Sequence, residues 1–236
     1  MNKIRQAAAF TLSLGLASAI ASPALAQIAG TYTAQDDGTT TLTNSNAEQT
    51  TFLGAAGAYG ATTTASFENV ALGDYGSTPF TAGPGLSITQ NGDYGLPYTG
   101  VTNYDWGSAL YGFNTSPGGA NYLALVNGAT LNFANGTNSF GFFLTGLQSS
   151  FSPYLTISFN DGAPEAISAF IFGQEGGGEY VGITDASLIY SVTLYNPGSD
   201  AWGIDDISYN TVPEPASYAA LGMGMLGMMI ARRRRA

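Results

Sequence analysis

Apolar and polar residues alternate in short runs along the middle of the chain. In Tyr154-Leu155-Thr156-Ile157-Ser158-Phe159, the residues Leu155, Ile157 and Phe159 share one face. In Leu188-Ile189-Tyr190-Ser191-Val192-Thr193-Leu194, the residues Leu188, Tyr190, Val192 and Leu194 do. A period of two is the signature of a strand with one face buried. Runs of this kind recur at Thr63–Val70, Leu86–Gln90, Tyr122–Val126, Thr130–Phe133, Phe140–Leu144, Tyr154–Phe159, Ile167–Phe172, Tyr180–Ile183, Leu188–Tyr195 and Trp202–Tyr209. Turn formers separate them, at Asn127-Gly128, Asn135-Gly136, Asn160-Asp161-Gly162 and Asn196-Pro197-Gly198. Tyr154–Phe159 and Ile167–Phe172 read as the two arms of a hairpin. No apolar stripe of helical spacing appears between the two ends of the chain, and no internal repeat is visible. Many short antiparallel strands predict an all-β fold: a two-sheet antiparallel sandwich of jelly-roll type, over residues 63–211. Residues 27–62 are rich in Thr, Ala, Gly and Asn with poor periodicity, which predicts a flexible polar leader holding at most one or two edge strands.

The two ends differ from this body. Lys3 and Arg5 precede an apolar run from Ala7 to Ile20, and Ala24-Leu25-Ala26 offers small residues for a signal peptidase. Residues 1–26 therefore read as a secretory signal peptide cleaved before Gln27. At the other end, residues 212–236 contain Val212-Pro213-Glu214-Pro215, an apolar run from Ala216 to Ile230, and Arg232, Arg233, Arg234 and Arg235. The run is about 15 residues, roughly 22 Å as a helix, against about 30 Å of hydrocarbon. It suits a short transmembrane helix crossed in transit, with the arginines held on the cytoplasmic side.

Charge is divided in the same way. All six basic residues lie in those two end segments, while fifteen of the sixteen acids lie between Gln27 and Val212. The body has no Lys, Arg, His or Cys. It makes no salt bridge of its own and no disulfide, and it has nothing with which to neutralise phosphates, so nucleic acid is excluded as a partner. Without His, Cys or Lys there is no Ser-His-Asp triad, no thiol nucleophile and no Schiff base. Carboxylate chemistry is what remains, and a paired-acid glycoside hydrolase stays open as the alternative to a protein that only binds.

Two places hold candidate chemistry. Glu68 sits on the opening strand of the series and Asp205 on the closing one, within Trp202-Gly203-Ile204-Asp205-Asp206-Ile207. First and last strands of a jelly roll commonly lie side by side. Two carboxylates brought together with no basic partner call for a cation, and Ca²⁺, which takes oxygen ligands, is the expected structural ion. Separate hydrogen bonds to each acid are the alternative. The second place is Asn91–Gly119, long for a connection and dense in aromatic residues. Tyr98, Tyr104, Trp106 and Tyr111 are candidates to stack on sugar rings, with packing over the core as the other reading. Asp36-Asp37 and Asp74 read as solvated turns, and Glu175-Gly176-Gly177-Gly178-Glu179 as a mobile acidic loop.

The tripartite tail of Pro213-Glu214-Pro215, apolar run and arginines resembles the PEP-CTERM sorting signal. That resemblance implies export from a Gram-negative bacterium and recognition by an exosortase after passage through the inner membrane. It further implies a mature product at the cell surface or in the extracellular matrix. The Phe67-Glu68 opening and the Ile204-Asp205-Asp206-Ile207 close are similar to the ends of extracellular jelly rolls such as MAM and lectin-like domains. The body from about Phe67 to Tyr209 looks like the uncharacterised β-sandwich bodies typical of PEP-CTERM proteins. The expected function is thus a non-catalytic surface or matrix protein that associates with exopolysaccharide or another surface glycan. A coat protein without a ligand is the third reading.

Overall fold

A computed structural model of the protein describes residues 28–151, 155–159, 166–168, 176–198 and 200–211. Residues 1–27 and 212–236, on which the expected signal peptide and short transmembrane helix fall, lie outside these residues. No helix among the described residues is long and apolar enough to cross a membrane.

Among the described residues, eleven strands form one continuous antiparallel sheet rather than two separate ones. They are β1 (Ile28–Asp37), β2 (Thr62–Ala65), β3 (Phe80–Gly83), β4 (Leu86–Gln90), β5 (Gly100–Thr102), β6 (Tyr122–Leu125), β7 (Gly128–Thr145), β8 (Thr156–Phe159), β9 (Ala166–Ser168), β10 (Gly177–Tyr195) and β11 (Trp202–Asn210). The main path runs β5-β6-β11-β7-β10-β8-β9. The expected β8–β9 hairpin is present, with Thr156 opposite Ser168; its connecting Asn160-Asp161-Gly162 lies outside the described residues.

Two long strands organise the molecule. The pairs Thr130–Phe133 with Phe140–Leu144, and Tyr180–Ile183 with Leu188–Tyr195, are not separate strands; each pair merges into one, β7 and β10. The first half of β7 pairs with β4 and with the last residues of β10. Its second half pairs with β11 and with the start of β10. Both strands thus pass from one half of the sheet to the other, and the pairing register of β10 shifts between Thr184 and Ser191. The shift also changes which side chains face inward. Ile189, Val192 and Leu194 are buried, while Tyr190 is 49 % exposed. A bulge moves side chains from one face to the other, so strict alternation from Leu188 to Leu194 fails there. One core collects Leu86, Ile88, Leu131 and Leu194 from one half with Phe140, Phe142, Val181 and Ile204 from the other.

The expected flexible leader, 27–62, is ordered structure over its described residues, 28–62. Ile28–Asp37 adds to β10 along its first half, from Ile28 opposite Asp185 to Asp37 opposite Gly177. Thr43–Ala56 forms a helix, α1. The helix buries Phe52 and Ala56 in a second cluster with Leu42, Phe143 and Tyr180. Phe52 lies against Gly182, where a Cβ would come within 2.6 Å of the ring. Asp36 is not a solvated turn residue either. Its carboxylate accepts from the backbone N–H of Asn44 (3.0 Å) and Ser45 (2.8 Å), the first turn of α1. An acid at a helix N-terminus satisfies unpaired donors and complements the helix dipole. The run Gly176-Gly177-Gly178 likewise belongs to ordered structure: Gly177 and Gly178 begin β10 and are buried. Glu175 lies outside the described residues.

Candidate functional site

The loop between β4 and β6 carries the aromatic residues, and an acid pins its first part. Asp74 accepts from Gly76 N–H (3.0 Å), Gly95 N–H (2.9 Å) and the Thr99 hydroxyl (2.8 Å). Burial raises the Asp74 carboxyl, but these donors prevail and hold it below the usual carboxylate range. Asp74, expected in a solvated turn, is therefore a brace for the segment that holds Tyr94 and Tyr98. The second part of the loop is fixed by close backbone approach. Gly146 has φ +76°, and a Cβ there would strike the carbonyl group of Tyr111. The Tyr122 hydroxyl donates to Tyr104 O at 3.1 Å.

On this frame the four predicted aromatics meet. Trp106 stacks on Tyr111 with ring centroids 4.4 Å apart and an interplanar angle of 25°. Tyr104 meets Trp106 edge-on at 4.7 Å, and Tyr98 approaches it at 5.5 Å. Tyr98 and Tyr104 remain 45 % and 51 % exposed, so their rings are accessible.

Tyr98 and Tyr111 also line a cleft of about 570 Å³. Tyr94 and Phe151 add aromatic wall; Asn127, Gln148 and Asp200 supply polar groups. Asp200 is buried, and its Oδ2 accepts from the Gln148 N–H at 2.6 Å. Its Oδ1 has a longer contact, 3.4 Å, from the Gln148 side-chain amide, which also donates to Leu110 O at 3.0 Å. Burial pushes the Asp200 carboxyl up to about 6 against these donors. The cleft thus has stacking faces, one carboxylate and two amides. Nothing in the sequence marks Asp200, Gln148 or Phe151 as site residues, and Asn127 reads there only as a turn former. They come from other turns, and no local pattern in the chain marks them as neighbours of the aromatic loop.

The acidic corner lies elsewhere on the loop. β2 and β11 pair directly, with Ala65 opposite Ile207, so the expected pairing of the Thr63–Val70 region with the closing strand is present, but β2 ends at Ala65 and Glu68 lies in the turn beyond it rather than on a strand. Asn114 Nδ2 shares its two N–H groups among Asn121 O (2.7 Å), Glu68 Oε1 (3.0 Å) and Asp205 Oδ2 (3.2 Å), which places the two acids around one amide. Glu68 Oε1 also accepts from Ala120 and Asn121 N–H, each at 2.9 Å. Asp205 Oδ2 also accepts from Thr115 N–H (2.7 Å) and Ser116 N–H (3.2 Å). Asp206 takes the Ser116 hydroxyl at 2.6 Å. Burial, then the charge of Asp206, raises Asp205 to about 7; burial raises Asp206 as well. The backbone here is unusual, with φ of 62° at Phe67 and 47° at Asp206. Among the described residues no group of three or more acids, histidines or cysteines is arranged to hold a metal. The oxygens that converge already face N–H and O–H donors, which a cation would have to displace.

Comparison with known proteins bears on the tail and little on the body. A search among curated proteins finds no match. Among solved structures, the K2 cleaved adhesin domain of Lys-gingipain aligns with 64 % of this chain and 99 % of its own length, at 13 % identity and a TM-score of 0.37. The PEP-CTERM protein-sorting motif matches residues 211–235, which include Pro213-Glu214-Pro215 and the four arginines. The chain therefore carries the sorting signal of an exosortase substrate, exported in Gram-negative bacteria, anchored in the membrane in transit and delivered to the cell surface.

Proposed function

We propose that the processed protein is a non-catalytic glycan-binding component of the cell surface or extracellular matrix. The observation that carries this reading is the cleft flanked by Tyr98 and Tyr111, continuous with the Trp106 stack and floored by Asp200, Gln148 and Asn127. Aromatic faces stack on the apolar faces of sugars, and amides and a carboxylate bond their hydroxyls. A body without basic residues favours uncharged glycans over anionic ones. Exopolysaccharide at the surface to which the sorting signal directs the chain is the natural ligand. The hydrolytic alternative needs two carboxyl groups across a sugar, roughly 5–5.5 Å or 6.5–9.5 Å apart. The aromatic cleft has one carboxylate among its described lining residues, and the paired acids are bound up in loop hydrogen bonds, so binding is the better supported reading.

The test is affinity electrophoresis of the exported, processed protein through gels containing dextran, laminarin, galactomannan, xylan or alginate. Retardation by an uncharged polymer, lost in Tyr98→Ala, is expected. Free migration through every gel would sink the reading in favour of a coat protein without a ligand. Intact mass of the same preparation should show a product lacking Arg232–Arg235, as exosortase processing near Pro213-Glu214-Pro215 requires.

A further inference from the structure

We infer that the aromatic cleft is one end of a longer track, and that the ligand is a linear polysaccharide gripped along its interior rather than at a chain end. The inference rests on the glycan-binding reading above. Tyr104, the outer ring of the stack, lines a second cleft of about 350 Å³ together with Asn103, Asp105 and Asn114. That cleft shares Thr40, Asp105 and Phe113 with a neighbouring hollow of about 460 Å³. Tyr98 and Tyr111 belong to the first cleft and Tyr104 to the second, and all three touch Trp106, at 5.5, 4.4 and 4.7 Å. The two clefts share no lining residue, and Trp106 joins them by packing against Tyr98 and Tyr111 from the first and Tyr104 from the second. Each side offers the same chemistry: an exposed tyrosine ring, side-chain amides and a single aspartate in the lining. A site for one terminal sugar needs a closed end, whereas this one has ring faces on both sides of Trp106. Asn114 adds a constraint, because this lining residue of the second cleft also bonds Glu68 and Asp205 through its side-chain amide. The loop geometry that fixes the acidic corner therefore also fixes the far half of the track.

The test extends the same gels to Tyr104→Ala and Tyr104→Phe, with the disaccharide and the hexasaccharide of the retarding polymer as soluble competitors. Tyr104→Ala is expected to weaken retardation about tenfold, the equivalent of one lost aromatic contact. Tyr104→Phe should keep it, which separates stacking from misfolding. The hexasaccharide should release the protein at far lower concentration than the disaccharide. If Tyr104→Ala migrates like the unaltered protein, or the disaccharide competes as well as the hexasaccharide, the track is overturned while the first cleft stands as a glycan site. If no polymer retards any form, the glycan-binding reading fails and the track fails with it.

Discussion

Asn114 shows how one neutral side chain replaces the basic partner that this body lacks. Its amide donates to Glu68 and Asp205 together, and backbone N–H groups of the same loop complete both carboxylates. Hydrogen bonds to charged groups contribute about 1.5–3 kcal/mol each, and the buried acceptor is the costly one to abandon. Asn114→Ala is therefore expected to destabilise the protein by about 2 kcal/mol. The loss should be larger at pH 8 than at pH 5, because Asp205 titrates near 7 and is charged only at the higher pH. Denaturant melts at the two pH values check this. The same donor set makes a prediction about calcium. With the converging oxygens already holding N–H donors, EDTA should leave the melting temperature unchanged. A fall on chelation, reversed by added Ca²⁺, would put the ion back at Glu68 and Asp205. The pairing of the segment before Glu68 with the strand of Asp205 is legible from the sequence pattern, although Glu68 itself lies in the turn after β2. Asn114 is not legible, since it lies far from both acids in sequence and reaches them only through the loop trace.

At the scale of elements, legibility followed the strength of the local pattern. Leu86–Gln90 forms β4 as read, and Tyr122–Val126 and Trp202–Tyr209 differ from β6 and β11 by one residue each. The sequence pattern splits the long strands, because Asn135-Gly136 looks like a turn and the Thr184–Ser191 register shift breaks the alternation. Helix α1 was invisible for a different reason. Its sequence, TNSNAEQTTFLGAA, has no apolar stripe, and its own cap position, Leu42, makes no side-chain bond. The helix depends on tertiary contacts: Phe52 packed on Gly182, and Asp36 donated by β1 as an acceptor for its first turn. Asp36→Ala should cost about 1 kcal/mol, as loss of a helix cap does, and hydrogen exchange should show the amides of Asn44 and Ser45 losing protection. Gly146 offers the matching test for the aromatic loop. An alanine there combines an unfavourable φ with a clash against Tyr111. Gly146→Ala should shift the fluorescence of Trp106, whose ring stacks on Tyr111, and weaken glycan binding, with a smaller effect on the global melt.

Across the body from Gln27 to Val212, fifteen acids with no basic residue make protonation the main electrostatic variable. Four buried carboxyls are displaced upward, Asp206 among them. Burial takes Glu179 to about 8, Asp205 to about 7 and Asp200 to about 6. Glu179 Oε2 has no hydrogen-bond partner among the described residues, which suits a protonated acid. In the unfolded chain these groups titrate near 4. Between about pH 4 and pH 8 the native state therefore binds more protons than the unfolded state, and by linkage stability falls as pH rises through that window. Asp36 and Asp74 act in the opposite sense. Burial raises each, but their donors outweigh it and lower the net value, so their contribution is lost only as pH falls below about 4. Repulsion among the remaining surface carboxylates has the same sign as the buried acids, and salt screens it. The melting temperature of the processed protein should accordingly peak near pH 4–5 and decline steadily towards pH 8. Added salt should recover the part of that decline due to surface repulsion and leave the part due to buried acids. Glu179→Gln should flatten the upper end of the curve, because the group titrating near 8 is gone. A melt that is level, or that rises from pH 5 to pH 8, would mean that the buried acids are ionised in the folded state and stabilised by partners beyond the described residues.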